Sequence, residues 1–412
     1  MTFHVMIIPT LGCPSNCAYC WGSEENAELM DIDVIHKIVE WLADFRDEPV
    51  HFTFHGGEPL LAGYDFYKEA LPLLNDAETH ETEGFSLQSN LWLLDEEMVE
   101  LFSKYNIAIS TSIDGPKEIN DYQRGEGYFD KTMKSVKLAT DHDIQINFVC
   151  TFTSYSKDFS DEIYDFFKAN GLNLKIHAAL PSLRGDNADP WALPQEEHGK
   201  LLIDWLDKYL YDLDKFVIMD LDHIAKSSLR RVGTLCTFND CMGTTLAVGH
   251  DGSIYPCYRF VGMDEYIMGN VYDKPSMEDL EKSEAWAKLM EFKNFVDEDC
   301  ADCKFIRFCR GGCPYNGIVA TQSPRAVDPQ CEAYKMIFGE VSRRANEDFK
   351  KNAMAAFGGV PPVRKEGDPF SIMDLMTKMW FNPFLKNIYS LITFFFFYYS
   401  IKQLIIFLYF SK

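Results

Sequence analysis

Cysteine placement constrains this chain more than any other feature. Of its twelve cysteines, three stand close together at Cys13, Cys17 and Cys20, and eight fall between Cys236 and Cys331. The later part of that second group is poor in hydrophobic residues. Such a stretch cannot fold on apolar burial alone, so metal ligation must help hold it. Twelve is an even count, so a disulfide framework is one reading. The opening residues, MTFHVMIIPT, lack the basic n-region of a secretory signal. A reducing, cytoplasmic setting is therefore expected, where CxxC spacings mark metal or cluster sites.

The charge balance narrows the partners. The 412 residues carry 63 Asp and Glu against 39 Lys and Arg, a net of −24. That surface repels phosphate backbones and excludes a sequence-independent nucleic-acid binder. A cationic peptide or a small molecule remains compatible with it. At 47% hydrophobic and 14% aromatic, the chain has ample material for a packed core.

Short apolar runs predict strands at Phe3–Pro9, His51–His55, Phe85–Gln88, Ile107–Ile113, Ile144–Thr153 and Leu174–Leu180. Amphipathic stretches lie between them, such as Val34–Phe45, with Val34, Ile35, Ile38, Val39 and Leu42 on one face. Strands alternating with helices predict consecutive βα units and a parallel sheet, here an incomplete (β/α)6 barrel over residues 1–228. Polar residues recur where these strands end: Cys13, His55, Gln88, Ser112, Thr151 and His177. Carboxyl ends of parallel strands are where α/β architectures place their sites.

Beyond residue 228 the texture changes. Leu246–Val248 and Ser253–Tyr255 flank His250-Asp251-Gly252, a hairpin signal, and Met277–Lys293 reads as helical. Residues 229–345 are expected to form a small cysteine-rich domain, and 346–412 a loosely structured tail. Within that tail Glu366–Pro369 is linker-like. Ile388–Phe410 is apolar over 23 residues but interrupted by Lys402 and Gln403. Two readings of it stay open: a membrane-associated helix, or an incidental read-through product of AT-rich DNA.

Cys13, Cys17 and Cys20 follow the first strand directly, in LGCPSNCAYCWG. Three thiolates on one loop can wrap a metal centre. Structural zinc wants four ligands, and a distant fourth would have to complete it. A 4Fe–4S cube held by three thiolates keeps one iron open for chemistry.

The CxxxCxxC spacing, with Tyr19 before the last cysteine, resembles the radical S-adenosylmethionine (SAM) superfamily. The resemblance implies that the open iron chelates the amino and carboxylate groups of SAM. Reductive cleavage would then give a 5′-deoxyadenosyl radical that takes a hydrogen atom from substrate. Gly56, Gly57 and Glu58, in HGGEP, resemble the family's GGEP motif, whose glycines would let backbone carbonyls approach the methionine ammonium. By the same resemblance Ser112 and Arg124 would hold the methionine carboxylate, with the ribose near Gln88 and Asn90. Arg124 suits a carboxylate because its fork donates two parallel hydrogen bonds. A solvated surface role is the alternative for Arg124. Asp114 and Tyr258 would face the substrate space.

The remaining spacing is Cys236-x4-Cys241-x15-Cys257, then Cys300-x2-Cys303-x5-Cys309-x3-Cys313, then Cys331. By count alone, eight thiolates make two fully ligated cubes or two zinc sites. The pattern resembles the SPASM extension of radical SAM enzymes. That resemblance implies auxiliary cluster I on Cys236, Cys241, Cys257 and Cys313, and auxiliary cluster II on Cys300, Cys303, Cys309 and Cys331. Cys150, alone in the fifth strand, reads as a small core hydrophobe.

The whole resembles peptide-modifying radical SAM enzymes described from methanogenic archaea, related to anaerobic sulfatase-maturating enzymes. That implies a precursor-peptide or protein substrate, oxidative maturation of thioether type, and a low-potential electron donor of ferredoxin or flavodoxin type. Sulfatase maturases, which form formylglycine, carry an Asp proton acceptor directly after the third cysteine of the extension. Here that position is Tyr258. A phenol titrating near ~10 is a poor base at neutral pH. A non-catalytic iron–sulfur electron-transfer protein is the alternative of another class.

Overall fold

The computed structural model describes residues 2–20, 27–43, 45, 48–181, 190–356 and 367–377. Six parallel strands form its centre: β1 (Phe3–Ile7), β2 (Val50–Phe54), β3 (Thr82–Gln88), β4 (Ala108–Ser112), β5 (Ile146–Phe152) and β6 (Leu174–Ala178). They lie in chain order across the sheet, as successive βα units require. The helices between them are set by amphipathic pattern and by caps. Ile32–Leu42, for example, buries Val34, Ile35, Ile38, Trp41 and Leu42, and Asp31 accepts from the Asp33 N–H at its start.

Each strand divides its side chains between two environments. Val5, Ile7, Phe52, Phe54, Phe85, Leu87, Ile109, Phe148, Cys150 and Phe152 are buried apolar positions on one face. Cys150 is fully enclosed there, as expected of a core thiol, and burial pushes its pKa well up. The opposite face is polar, and the register aligns it: His4 with His51, Thr53 with Ser86, Gln88 with Ser110, Ser110 with Asn147, and Thr151 with His177. These residues hydrogen-bond across strands, His4 Nε2 to Thr53 Oγ1 at 2.6 Å and His51 Nε2 to Ser86 Oγ at 3.1 Å. Met6 and Val149 share this mostly polar face, which suits the surroundings of a site better than contact with a second apolar layer.

Three further strands extend the same sheet past β1: β7 (Thr245–Val248), β8 (Ser253–Tyr255) and β9 (Gly269–Asn270). β7 and β8 are the hairpin expected around Gly252, which turns at φ +84°. β7 also pairs in parallel with β1, His4 opposite Thr245 and Ile7 opposite Val248. It thereby covers an edge that β1 would otherwise present. The stretch expected as one helix from Met277 is two, Met277–Glu281 and Glu284–Asp299, because Ser283 caps the second through the Trp286 N–H.

Residues 1–376 form one compact unit. Helices span both of the expected boundaries: Met219–Arg230 crosses residue 228, and Cys331–Ala356 crosses residue 345. Part of the expected loose tail is docked. The Phe370 N–H donates to the Leu210 carbonyl at 2.7 Å, and Ile372, Leu375 and Met376 are buried. The apolar segment 388–410 lies outside the described residues. Among the described residues no helix is long and apolar enough to cross a membrane.

Helix Cys331–Ala356 packs on helix Gln195–Tyr209. At that junction His198 Nδ1 donates to Gln330 Oε1 at 2.9 Å, while Gln330 Nε2 donates to the Leu193 carbonyl. Burial lowers the His198 pKa to about 4. Between its unfolded value near ~6.5 and pH 5, the unfolded chain takes up a proton that the folded chain refuses, so stability falls with pH. From this histidine the loss between pH 7 and pH 5 is expected to be about 2 kcal/mol. His198→Gln should remove that increment from the pH dependence of the denaturation midpoint. An unchanged dependence would show that the ring protonates without penalty.

Candidate active site

The loop after β1 is built against the end of β2. The Gly57 N–H donates to the Thr10 carbonyl at 3.0 Å and the Glu58 N–H to the Gly12 carbonyl at 2.7 Å. A Cβ on Gly57 would sit 2.3 Å from both the Leu11 and Gly12 carbonyl oxygens, and Gly56 turns at φ +124°. The two glycines therefore let the β2 end close onto the cysteine loop. That packing requirement stands beside the ligand-approach reason expected of the motif. The loop presents Cys13 and Cys17 half-buried and Cys20 exposed. Ser15 Oγ lies 3.1 Å from Cys13 Sγ and 3.7 Å from Cys17 Sγ. Burial pushes the Cys17 thiol up to about 11, against the pull of Arg124.

Glu58 is wholly buried and works inside the protein. Its carboxylate accepts from Ser89 Oγ and the Asn90 N–H, both at 2.7 Å, and from the Leu60 N–H at 3.0 Å. It thus clamps the end of β2 to the end of β3, and burial raises its pKa to about 7. The clamp aims Asn90, whose Nδ2 points to Cys13 Sγ at 3.8 Å. Gln88 Nε2 donates to Ser112 Oγ at 3.2 Å, so these two strand-end residues come together beside the loop.

Arg124 and Asp114 are paired with each other. The Arg124 fork is engaged within the protein, Nε to Asp114 Oδ2 at 2.8 Å and Nη2 to Asp114 Oδ1 at 2.9 Å. The pair is buried, with side chains 7% and 0% exposed. Arg124 is not a solvated surface residue: two of its nitrogens are held by Asp114, and Nη1 lies 3.4 Å from Tyr128 Oη. Asp114 is fully buried. It also accepts from Tyr19 Oη at 2.7 Å, Gln123 Nε2 at 3.1 Å and the Thr151 N–H at 2.8 Å. Tyr19, the aromatic of the cysteine loop, is thereby pinned to the end of β4. A charge removed from water needs this many partners, which is why one carboxylate collects them.

The eight later cysteines separate into two quartets. Cys236, Cys241, Cys257 and Cys313 line one cavity, with Lys175, His177, Tyr258 and Arg259. Cys300, Cys303, Cys309 and Cys331 line another, with Asp328, Glu332 and Lys335. Cys309 and Cys313 are close in sequence yet serve different cavities. Gly311 and Gly312, both near φ +80°, swing the chain between them. All twelve cysteines are free thiols. Among the described residues, no three His, Cys, Asp or Glu side chains form a group that would hold a single metal ion. The donor sets, one of three soft thiols and two of four, fit cubanes.

Residues 7–168 match the radical SAM superfamily, and residues 236–304 match SPASM, an iron–sulfur cluster-binding domain. The chain belongs to the radical SAM superfamily. It is a radical SAM/SPASM enzyme, with 4Fe–4S clusters and SAM as its cofactors. Over 233 residues this radical SAM chain is 50% identical to an uncharacterized protein of Methanothermobacter thermautotrophicus, covering 57% of this chain and 89% of the relative. It is 26% identical over 344 residues to a cysteine-type anaerobic sulfatase-maturating enzyme of Clostridium perfringens, covering 79% and 92%. The structure of native anSMEcpe with bound AdoMet and the Kp18Cys peptide superposes at a TM-score of 0.75 and 26% identity, covering 84% of this chain and 99% of that one.

Two residues gain roles that the sequence reading did not assign. His55, noted only as a strand-end polar residue, stacks on Tyr258 with ring centroids 4.0 Å apart. Its Nδ1 accepts from the Gly56 N–H at 2.7 Å, and burial lowers its pKa to about 4, so the ring is neutral. Tyr258 accepts from Arg259 Nε at 3.3 Å, and burial raises the phenol pKa above its ordinary value. With its Nδ1 lone pair taken by the Gly56 N–H, the neutral imidazole is a weak base left to donate from Nε2, and the phenol stays protonated. The HGGEP string and the Cys-Tyr dipeptide carried this only as residue types; their contact is long-range.

Proposed function

We propose that this radical SAM/SPASM enzyme oxidatively modifies a peptide or protein substrate in a reducing, cytoplasmic setting. The observation that carries the reading is the contrast in donor sets: three thiols on the β1 loop, without a fourth, and two closed quartets elsewhere. Cys13, Cys17 and Cys20 would hold the cluster that takes SAM. Cys236, Cys241, Cys257 and Cys313 would hold auxiliary cluster I, and Cys300, Cys303, Cys309 and Cys331 auxiliary cluster II. When bound, the first cluster and SAM supply hydrogen-atom abstraction. The protein's own part is to orient and exclude. Asn90 steadies Cys13, Gln88 and Ser112 line the strand ends, and Glu58 and Asp114 hold those ends in register. His55 and Tyr258 brace each other by stacking beside the end of β2. A low-potential electron donor of ferredoxin or flavodoxin type would supply reducing equivalents.

A peptide substrate is supported by the likeness to anSMEcpe, which was solved with a peptide bound. The same likeness favours a second reading, maturation of a sulfatase. Tyr258 weighs against it, because a buried phenol is a poor acceptor for the proton that formylglycine formation releases. Incubation of reduced, reconstituted protein with SAM and the Kp18Cys peptide separates the two. We expect 5′-deoxyadenosine without peptide aldehyde. Aldehyde on the peptide would establish the sulfatase reading, and absence of 5′-deoxyadenosine would overturn both.

A further inference from the structure

We propose that Asp328 is a positioning residue shared by the two auxiliary cysteine quartets: its carboxylate holds the main chain at Cys313, its own carbonyl holds the main chain at Cys331, and its buried charge acts on both. The inference rests on the reading that these quartets hold clusters. The two quartets line separate cavities, and nothing in their spacing requires that they depend on a common residue. Asp328 nevertheless meets both. Its Oδ2 accepts from the Cys313 N–H at 3.0 Å, and its own carbonyl accepts from the Cys331 N–H at 2.9 Å. Its N–H donates to the Gly311 carbonyl at 3.0 Å, closing the chain reversal that sends Cys313 away from Cys309. The fit is close: a Cβ on Gly312 would stand 2.2 Å from the Asp328 Cβ.

The carboxylate is fully enclosed and held by further donors. Asn316 Nδ2 reaches Oδ2 at 2.7 Å, Tyr334 Oη reaches it at 3.4 Å, and the Gln330 N–H reaches Oδ1 at 2.9 Å. Asn316 continues the chain, accepting from Arg259 Nη1 at 2.6 Å. Arg259 stands two residues after Cys257 and over the Tyr315 ring. The buried anion is therefore linked through one amide to the cation beside the first quartet. The two backbone N–H groups and the amide that it accepts account for its place in the turn, but a neutral side-chain acceptor would meet most of that need without a charge. A full charge between two sets of thiolates is explained by its effect on them. Iron–sulfur potentials depend on net charge and on hydrogen bonds around the sulfurs. One anion placed between two clusters lowers both potentials together.

The test uses the full chain, reconstituted anaerobically and titrated under EPR. Cys257→Ala should remove the signal of one auxiliary cluster, and Cys300→Ala the other. If both variants keep wild-type iron content and signals, the cluster reading itself fails. With those controls in place, Asp328→Asn should shift the midpoints of both auxiliary clusters to more positive potential, leaving the SAM-responsive cluster unmoved. A shift at one auxiliary cluster only, or at neither, overturns the shared role. Should Asp328→Asn not accumulate clusters, Asn316→Leu keeps the charge but cuts its link to Arg259. It is expected to move both midpoints, and movement of one or none overturns the proposal equally.

Discussion

Alanine at Cys13, Cys17 or Cys20 is expected to reduce SAM cleavage to background while both auxiliary clusters persist. A cubane on three thiolates has no spare protein ligand, so the loss of any one leaves two irons without protein anchorage. The sequence around this loop carries only these three cysteines, so no further thiol stands beside them to replace a missing sulfur. The readout is 5′-deoxyadenosine formed by dithionite-reduced protein. Alanine at Cys257 or Cys300 should damage turnover of substrate and spare uncoupled cleavage. The reverse pattern would mean that the roles of the loop and the quartets have been exchanged.

Asp114→Ala is expected to be the most destabilising single change in the parallel core. It leaves the buried Arg124 guanidinium without a counter-charge and strands donors from Tyr19, Gln123 and the Thr151 N–H. Breaking a buried pair by removing one partner costs about 3–5 kcal/mol, because the survivor stays desolvated and unpaired. An exposed pair such as Lys137–Asp141, with side chains 74% and 56% exposed, is worth at most ~0.5 kcal/mol. Denaturation midpoints of Asp114→Ala and Lys137→Ala, measured side by side under anaerobic conditions, should differ accordingly. A cost below about 1 kcal/mol for Asp114→Ala would show that Arg124 finds water or another partner.

The legible parts of this chain are those written in local pattern. Six strands announced themselves through apolar runs such as VHFTF and ISTSI, whose alternation also carries the polar inner face. The β1 loop was legible from three cysteines at fixed spacing. Long-range commitments were not. Arg124 reads as an available fork because nothing in KEINDYQR records that Asp114 folds back over it. Thr245–Val248 is too short to name a partner, and only tertiary structure sets it beside β1. The partition of Cys309 from Cys313 came from family resemblance. Its physical cause, two glycines in left-handed conformation, is visible only in the backbone. Asp328 is one of 63 acidic residues, and its sequence neighbourhood does not distinguish it. Burial does.

The proposed function depends on one iron being left open in a cluster that Cys13, Cys17 and Cys20 would hold. EPR of the reduced, anaerobically reconstituted protein, recorded before and after addition of SAM, examines it directly. One cluster signal should change on addition, two should not, and the changing signal should be missing from Cys17→Ala. Zinc in place of iron and sulfide at that loop, or three signals indifferent to SAM, would contradict it.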